Sequence, residues 1–262
     1  MRLRGEVCVG FGSLLSFAAV LLMIFCHVGQ ISTSNVPRHI YMAKVNATDY
    51  GAALTHALLD PIDGLYATNA SAPLGKQKGL RDIYQWGLYS YCAYLDIRSN
   101  DTQGVCGNQT IGNQFRPYNA LTGDMLSNYS AITYYIMYGT TFYDSKYLGQ
   151  STKAAYWMLL LGTITAALAF LTGFAKRSYL FFFSTGMSVV AAILLLVAAT
   201  IWTVMIKKAG AIDDFVIGES SKATSLGITV HPGIGLYLLW ASFALMFASI
   251  MPYMLVCCTY RG

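Results

Sequence analysis

Charge is what this sequence has least of. Only 11% of its 262 residues are Asp, Glu, Lys or Arg, against 55% apolar, and the mean hydropathy is +0.48. Four stretches, approximately 9–29, 154–175, 179–206 and 233–259, contain none of these charged residues. Each is long enough to cross a bilayer, which takes about 20 helical residues. A chain so poor in charge cannot cover itself with a solvated surface, so lipid is the expected solvent for much of it. Intramembrane ionisable groups mark proton relays, ion paths and voltage sensors. The absence of Asp, Glu, Lys and Arg from all four stretches argues against a self-sufficient pump or ion-coupled transporter. The net charge of +5 comes with no basic run beyond Lys-Arg and Lys-Lys pairs, which excludes a nucleic-acid footprint.

Catalytic arrangements are missing as well. There is no His-Glu-x-x-His, no Gly-x-Ser-x-Gly and no P-loop. Asp213-Asp214 is an isolated pair in a polar segment, and Gly233-Ile-Gly235 is too short to mean nucleotide binding. The chain is therefore expected to be no enzyme and to carry no cofactor and no metal. The four histidines are His27, His39, His56 and His231. The last three fall outside the apolar stretches, but they are scattered.

The apolar stretches predict a cytoplasmic N-terminus at 1–8, spans at 9–29, 154–175, 179–206 and 233–259, a short cytoplasmic turn at 176–178 and a C-terminus at 260–262. Between them lie an extracellular domain at 30–153 and a second extracellular loop at 207–232. The third span is long for one crossing and is expected to tilt or project beyond the lipid. The first follows Arg2 and Arg4 and precedes the small residues Ser32-Thr-Ser34, as a cleaved signal peptide would. Its apolar run is too long for that and reads as a retained anchor.

Asparagine is absent from residues 154–262, whereas the first loop holds five Asn-x-Ser/Thr sequons, at Asn46, Asn69, Asn100, Asn108 and Asn128. Sequons confined to one loop fit passage through the secretory lumen. Arg2, Arg4, Lys176, Arg177 and Arg261 lie where the positive-inside rule puts them, while Lys207, Lys208 and Lys222 dilute the signal. Both termini are thus expected in the cytoplasm.

The first loop is long enough to fold as a domain. It carries fourteen of the nineteen tyrosines and nearly balanced charge, nine Lys/Arg against eight Asp/Glu. Such a composition belongs to an ordered segment, since disordered linkers are poor in aromatics. Tyr41-Met-Ala-Lys-Val and Ile83 through Leu95 have the β-branched and aromatic character of strands. Asp101-Thr-Gln-Gly104 reads as a turn between strands. Met125, Tyr129, Ile132 and Ile136 stand near helical spacing, and 51–80 reads as helical turns and irregular connections.

The segment from Asp82 to Cys106 contains Asp82, Ile83, Tyr84, Gln85, Trp86, Gly87, Leu88 and Tyr89, then Cys92 and Cys106. A Gly-Leu-aromatic segment leading into two spaced cysteines, in the loop after a first span, resembles the claudin-superfamily signature. Asp82, Ile83, Tyr84, Gln85, Gly87, Leu88 and Tyr89 are similar to the pattern of the fungal SUR-seven/PalI family of plasma-membrane tetraspans. Tyr41-Met-Ala-Lys also resembles that family's segment after the first helix. With the four spans, the likeness covers nearly the whole chain. Tyr89 stands where the claudin pattern has a tryptophan, with Trp86 just before the glycine. The chain also stops close to its fourth span, whereas several members carry a long cytoplasmic tail.

The resemblance implies a mainly helical membrane protein. It would be a four-helix claudin-like bundle with a disulfide-clasped extracellular domain containing a small antiparallel β-sheet. Cys92 and Cys106 lie on the expected oxidising side, where disulfides persist. The alternatives are two free thiols or a zinc site, and the pair has neither CxxC spacing nor nearby histidines. It reads as a structural clasp.

Cys257 and Cys258, and also Cys8, sit where S-palmitoylation occurs; cysteine equally packs as a small apolar residue. Small residues recur at four-residue spacing: Gly12 with Ser16, Gly162 with Ala166, Ala169 with Gly173, Ser184 with Ser188 and Ala192, Ala244 with Ala248. Such pairs let membrane helices approach closely. Pro252 in the last span is expected to kink it.

In functional terms the resemblance implies a plasma-membrane organiser of membrane domains, of the eisosome type, that supports cell-wall integrity or ambient-pH signalling. Its partners would be membrane lipids, other plasma-membrane proteins and cell-wall glycans, and not nucleic acid. The alternative is an auxiliary subunit of a larger transporter, channel or cell-wall synthase, which the uncharged spans fit equally well.

Overall fold

The structure, a computed structural model, describes residues 2–95, 103–173, 178–218 and 223–259. Its elements run α1 (Arg2–Val28), α2 (Asn35–His39), β1 (Ala43–Asn46), α3 (Tyr50–Leu58), β2 (Ile83–Trp86), β3 (Tyr91–Tyr94), β4 (Gly104–Cys106), α4 (Pro117–Asp124), α5 (Ser127–Met137), α6 (Ser145–Gly173) and α7 (Ser178–Ala209). A single 3-10 turn (Gly210–Ile212) follows, then β5 (Val216–Ile217), β6 (Thr224–Ser225), β7 (Thr229–Pro232) and α8 (Ile234–Thr259).

Four helices are long and apolar enough to cross a membrane, over Gly10–Val28, Ser145–Gly173, Phe182–Ile212 and Ile234–Pro252. The second begins well before the apolar run does. Asp144 explains this, because its Oδ1 accepts the Tyr147 amide at 3.1 Å and caps α6 ahead of the uncharged segment.

The residues divide into two compact units, one of Met1–His27, Ala154–Ile201 and Gly235–Gly262, the other of Val28–Lys153 and Trp202–Ile234. In the first unit small residues face inward. Gly12 and Ser16, Gly162 and Ala166, and Ser184, Ser188 and Ala192 are all buried. A Cβ at Gly162 would meet Leu195 Cδ2 at 3.0 Å, so the Leu195 side chain of α7 packs directly on the α6 backbone there. Ser184 donates to the Ala169 carbonyl at 2.7 Å, and the His27 ring bonds Thr163 Oγ1 at 3.1 Å. The pair Ala244 and Ala248 departs from the pattern: both are exposed, and α8 buries Ser242, Met246 and Ser249 instead. Phe11, Leu14, Leu21 and Ile24 of α1 form an exposed apolar face. Such a face suits lipid rather than water.

The second unit is built on a five-stranded antiparallel sheet in the order β4-β3-β2-β1-β7. In β1, Ala43 and Val45 are buried while Lys44 and Asn46 are not, the period of two that a half-covered strand requires. Val45 faces Tyr84 on one side and Val230 on the other. The segment from Ile83 to Leu95 reads as one continuous stretch of strand character. It is two strands, because Gly87 donates its amide to the Ser90 carbonyl at 2.9 Å and reverses the chain. The second loop supplies β7 to the same sheet, a pairing that no local pattern announces. Of the proposed turn at 101–104, residues 101 and 102 lie outside the described residues, and Gly104 already belongs to β4. The helical spacing around Tyr129 is realised as α5, and 51–80 holds only the short α3.

Candidate functional site

The β2–β3 hairpin and its surroundings bring most of the sequence-derived site residues together. Cys92 and Cys106 sit directly opposite each other in the β3–β4 ladder and are joined as a disulfide. The bridge packs with Ile83 and Tyr94 in an apolar cluster.

Trp86 is the centre of an aromatic column. Its ring stacks on Tyr84 and Tyr91 with centroids at 6.1 and 5.6 Å, and meets Phe115 edge-on at 5.1 Å. Phe115 continues to Trp202 at 6.1 Å. Trp86, Phe115 and Trp202 are all buried. Leu88 is buried in the turn, whereas Asp82 and Tyr89 are half-buried. The backbone carbonyls of Asp82 and Tyr89 accept the amides of Ala47 and Thr110 at 2.8 and 2.7 Å, so both also act through the main chain.

Gln30 ties the end of α1 to this hairpin. It is fully buried and takes the left-handed conformation at φ 57°. Its side-chain amide donates to the carbonyls of Pro37 and Arg38 at 3.0 and 2.7 Å and to Gln85 Oε1 at 3.2 Å. Its own carbonyl accepts the Ser90 hydroxyl. Gly87 passes so close to Gly29 and Gln30 that a Cβ there would overlap the Gly29 carbonyl oxygen. Only glycine fits this crossing.

Beneath the sheet lies a buried polar network. The Tyr84 hydroxyl donates to Asp124 Oδ2 at 2.8 Å and accepts the Arg81 amide at 3.0 Å. The Arg81 guanidinium donates to the carbonyls of Asn69 and Ala72 at 2.8 and 2.7 Å. Burial pushes the Asp124 carboxyl up, opposed by the bonds from Gly75 and Tyr84 and by the Arg81 charge. Burial likewise raises the Tyr84 phenol well above its ordinary value, with the Asp124 charge adding to the effect. Arg81 Nε is buried without a partner, but both terminal guanidinium nitrogens, the Tyr84 hydroxyl and the Asp124 carboxylate are paired within the protein, so the network reads as structural cement.

Among the sequons, Asn69, Asn108 and Asn128 are exposed, Asn46 is half-buried at the end of β1, and Asn100 lies outside the described residues. The side chains of Cys8, Cys257 and Cys258 also lie outside the described residues. Among the described residues no three His, Cys, Asp or Glu side chains stand close enough to hold a metal ion.

One cluster was not legible beforehand. Tyr118 of α4, Tyr134 of α5, Tyr138 just past its end, and Tyr143 pack ring against ring, with centroids 4.8 Å apart for Tyr118–Tyr143 and 5.5 Å for Tyr134–Tyr138. The i, i+4 spacing of Tyr134 and Tyr138 was the available signal. The partners from α4 and the segment before α6 were invisible without the fold.

The profile of the SUR7/PalI family matches residues 8–251, nearly the whole chain. The chain belongs to the SUR7/PalI family. No curated protein matches it. As a SUR7/PalI protein with four apolar membrane-length helices, a small antiparallel sheet and a Cys92–Cys106 disulfide, it is a multi-pass membrane protein of claudin-like architecture. The match begins just inside α1 and ends within α8, so it takes in the clasped hairpin, the aromatic column and all four spans.

Proposed function

We propose that this SUR7/PalI protein is a non-enzymatic organiser of plasma-membrane domains, of the eisosome type, that supports cell-wall integrity or ambient-pH signalling. The family match over residues 8–251 is the observation that carries the reading. In this reading 30–153 and 207–232 face outward and both termini lie in the cytoplasm. The pairing of β1 from the first loop with β7 from the second supports it, because paired strands must lie on one side of the membrane. The sequons and the disulfide support the lumenal origin of that side. The uncharged helix faces set lateral association with lipid and neighbouring proteins, while the outer unit meets wall glycans or other ectodomains.

The test is purification of the natively expressed protein in mild detergent, with its mass and everything that co-purifies. Homo-oligomers, or many neighbours without fixed stoichiometry, support the organiser. A stable complex of fixed stoichiometry with one transporter, channel or synthase replaces it with an auxiliary-subunit role.

A further inference from the structure

Two cavities of the second unit adjoin at Arg116 and Asn119, which line both. The larger, about 880 Å³, is walled by Tyr118, Tyr138 and Tyr143; the smaller, about 490 Å³, is walled by Trp86 and Tyr91. Both volumes fall in the range of about 300–1,000 Å³ typical of ligand sites. Tyr138 keeps 66% of its surface exposed although its ring lies 5.6 Å from that of Tyr143. A tyrosine held in a packed cluster yet left wet presents a rigid ring face at low entropic cost.

The junction is polar and incompletely paired. The Arg116 side chain makes no ion pair or hydrogen bond among the described residues. Its Nε and the neighbouring Gln114 Oε1 are both buried without partners. An arginine lining two cavities, with its donors uncommitted to any carboxylate, is a group waiting for acceptors.

We propose that these adjoining cavities form a binding groove for a neutral glycan chain of hexose or hexosamine units. Sugar rings have apolar C–H faces that lie flat on tyrosine and hydroxyls at the edge that both donate and accept. Tyrosine rings line the groove together with the polar groups of Arg116, Asn119 and Gln150, which matches that pattern; Asp144, Lys146 and Lys153 also line it, which is why a polyuronate is the competing ligand in the test. A purely apolar ligand would bury these groups unpaired, at a cost for each. The proposal rests on the reading that residues 30–153 face outward, where such chains occur. The glycan has two available sources, an external polysaccharide or an N-glycan of the chain itself, since Thr110 of the Asn108 sequon lines the smaller cavity.

The test uses the full-length protein in lipid nanodiscs, with N-glycans intact or enzymatically trimmed. It is titrated calorimetrically with linear β-1,3-glucan, chitin and mannan oligosaccharides, a polyuronate and a proline-rich peptide. One neutral series should bind, more tightly as the chain lengthens. Tyr138→Ala, at an exposed position, should weaken it at least tenfold in protein that still unfolds cooperatively, and Arg116→Gln should do the same. Binding with N-glycans intact assigns the groove to an external chain; binding only after trimming assigns it to the chain's own glycan. No neutral series binding up to millimolar concentration overturns the proposal. So does binding indifferent to Tyr138→Ala, or binding of the polyuronate or peptide alone. Because the assay uses purified protein, its failure leaves the co-purification result for the organiser untouched.

Discussion

Gly87 crosses Gly29 with no room for a side chain between them: a Cβ at position 87 would overlap the Gly29 carbonyl oxygen. The obstacle is backbone on one side and the buried Gln30 on the other, so neither yields by a rotamer change. Gly87→Ala is therefore expected to destabilise the second unit by about 1–3 kcal/mol, the usual scale of overpacking. Gly10→Ala is the control, since nothing lies within 4 Å of a Cβ there. Thermal unfolding followed by tryptophan fluorescence distinguishes them, and equal melting temperatures for Gly87→Ala and the parent would refute the crossing.

The Cys92–Cys106 bridge closes a loop of sequence separation 14 at the open end of the sheet. Replacing both cysteines by serine is expected to cost about 3 kcal/mol in the chain-entropy picture. The loss should appear in melting temperature, and reductant should lower the parent toward the variant while leaving the variant unmoved.

Tyr84 and Asp124 make a pH-dependent pair. Burial raises the Asp124 carboxyl, so its folded value lies above its unfolded one. Its contribution to stability is then fully present below the ordinary carboxylate value and is lost as pH rises through the folded value. Tyr84→Phe removes a donor to Asp124 Oδ2 and should cost about 1–3 kcal/mol at pH 7. The cost should shrink near pH 4, where protonation spares the carboxylate. Melting temperatures of the two proteins at both pH values check this; an equal gap at both would show that Asp124 does not titrate in the folded state.

Burial also raises the phenols of Tyr66 and Tyr94, each to about 12, and raises that of Tyr84 well above its ordinary value. The unfolded chain ionises these phenols near the ordinary value of 10, so stability that is intact below that pH is lost as pH rises toward 12 and beyond. Absorbance at 295 nm should show a delayed group of tyrosines titrating together with unfolding. A single smooth titration centred near pH 10 would contradict their burial.

Sequon use should follow exposure. Asn69→Gln, Asn108→Gln and Asn128→Gln are each expected to remove one glycan's mass from the mature protein, with Asn46 the least occupied because it is half-buried beside its own Thr48. A mass ladder after endoglycosidase digestion reads the outcome. No glycan at any of them would count against the outward orientation of 30–153.

The sequence by itself determined the membrane class, the four spans and the clasp. Uncharged apolar runs have only one solvent that suits them, and two cysteines in one loop without nearby metal-ligand spacing have few alternatives to each other. Signature residues such as Gly87 and Trp86 were legible as a pattern, but their roles were not. Gly87 matters because Gly29 crosses it, and Trp86 because Phe115 and Trp202 arrive from distant segments. The same holds for β7, whose four residues join the sheet only by finding β1, and for the tyrosine groove, whose walls come from α4, the segment between α5 and α6, and the first turns of α6. Local composition decides solvent and period, because each residue carries its own transfer free energy and backbone preference. Register, crossings and cavities belong to pairs of segments far apart in the chain, and only the folded structure brings those pairs together.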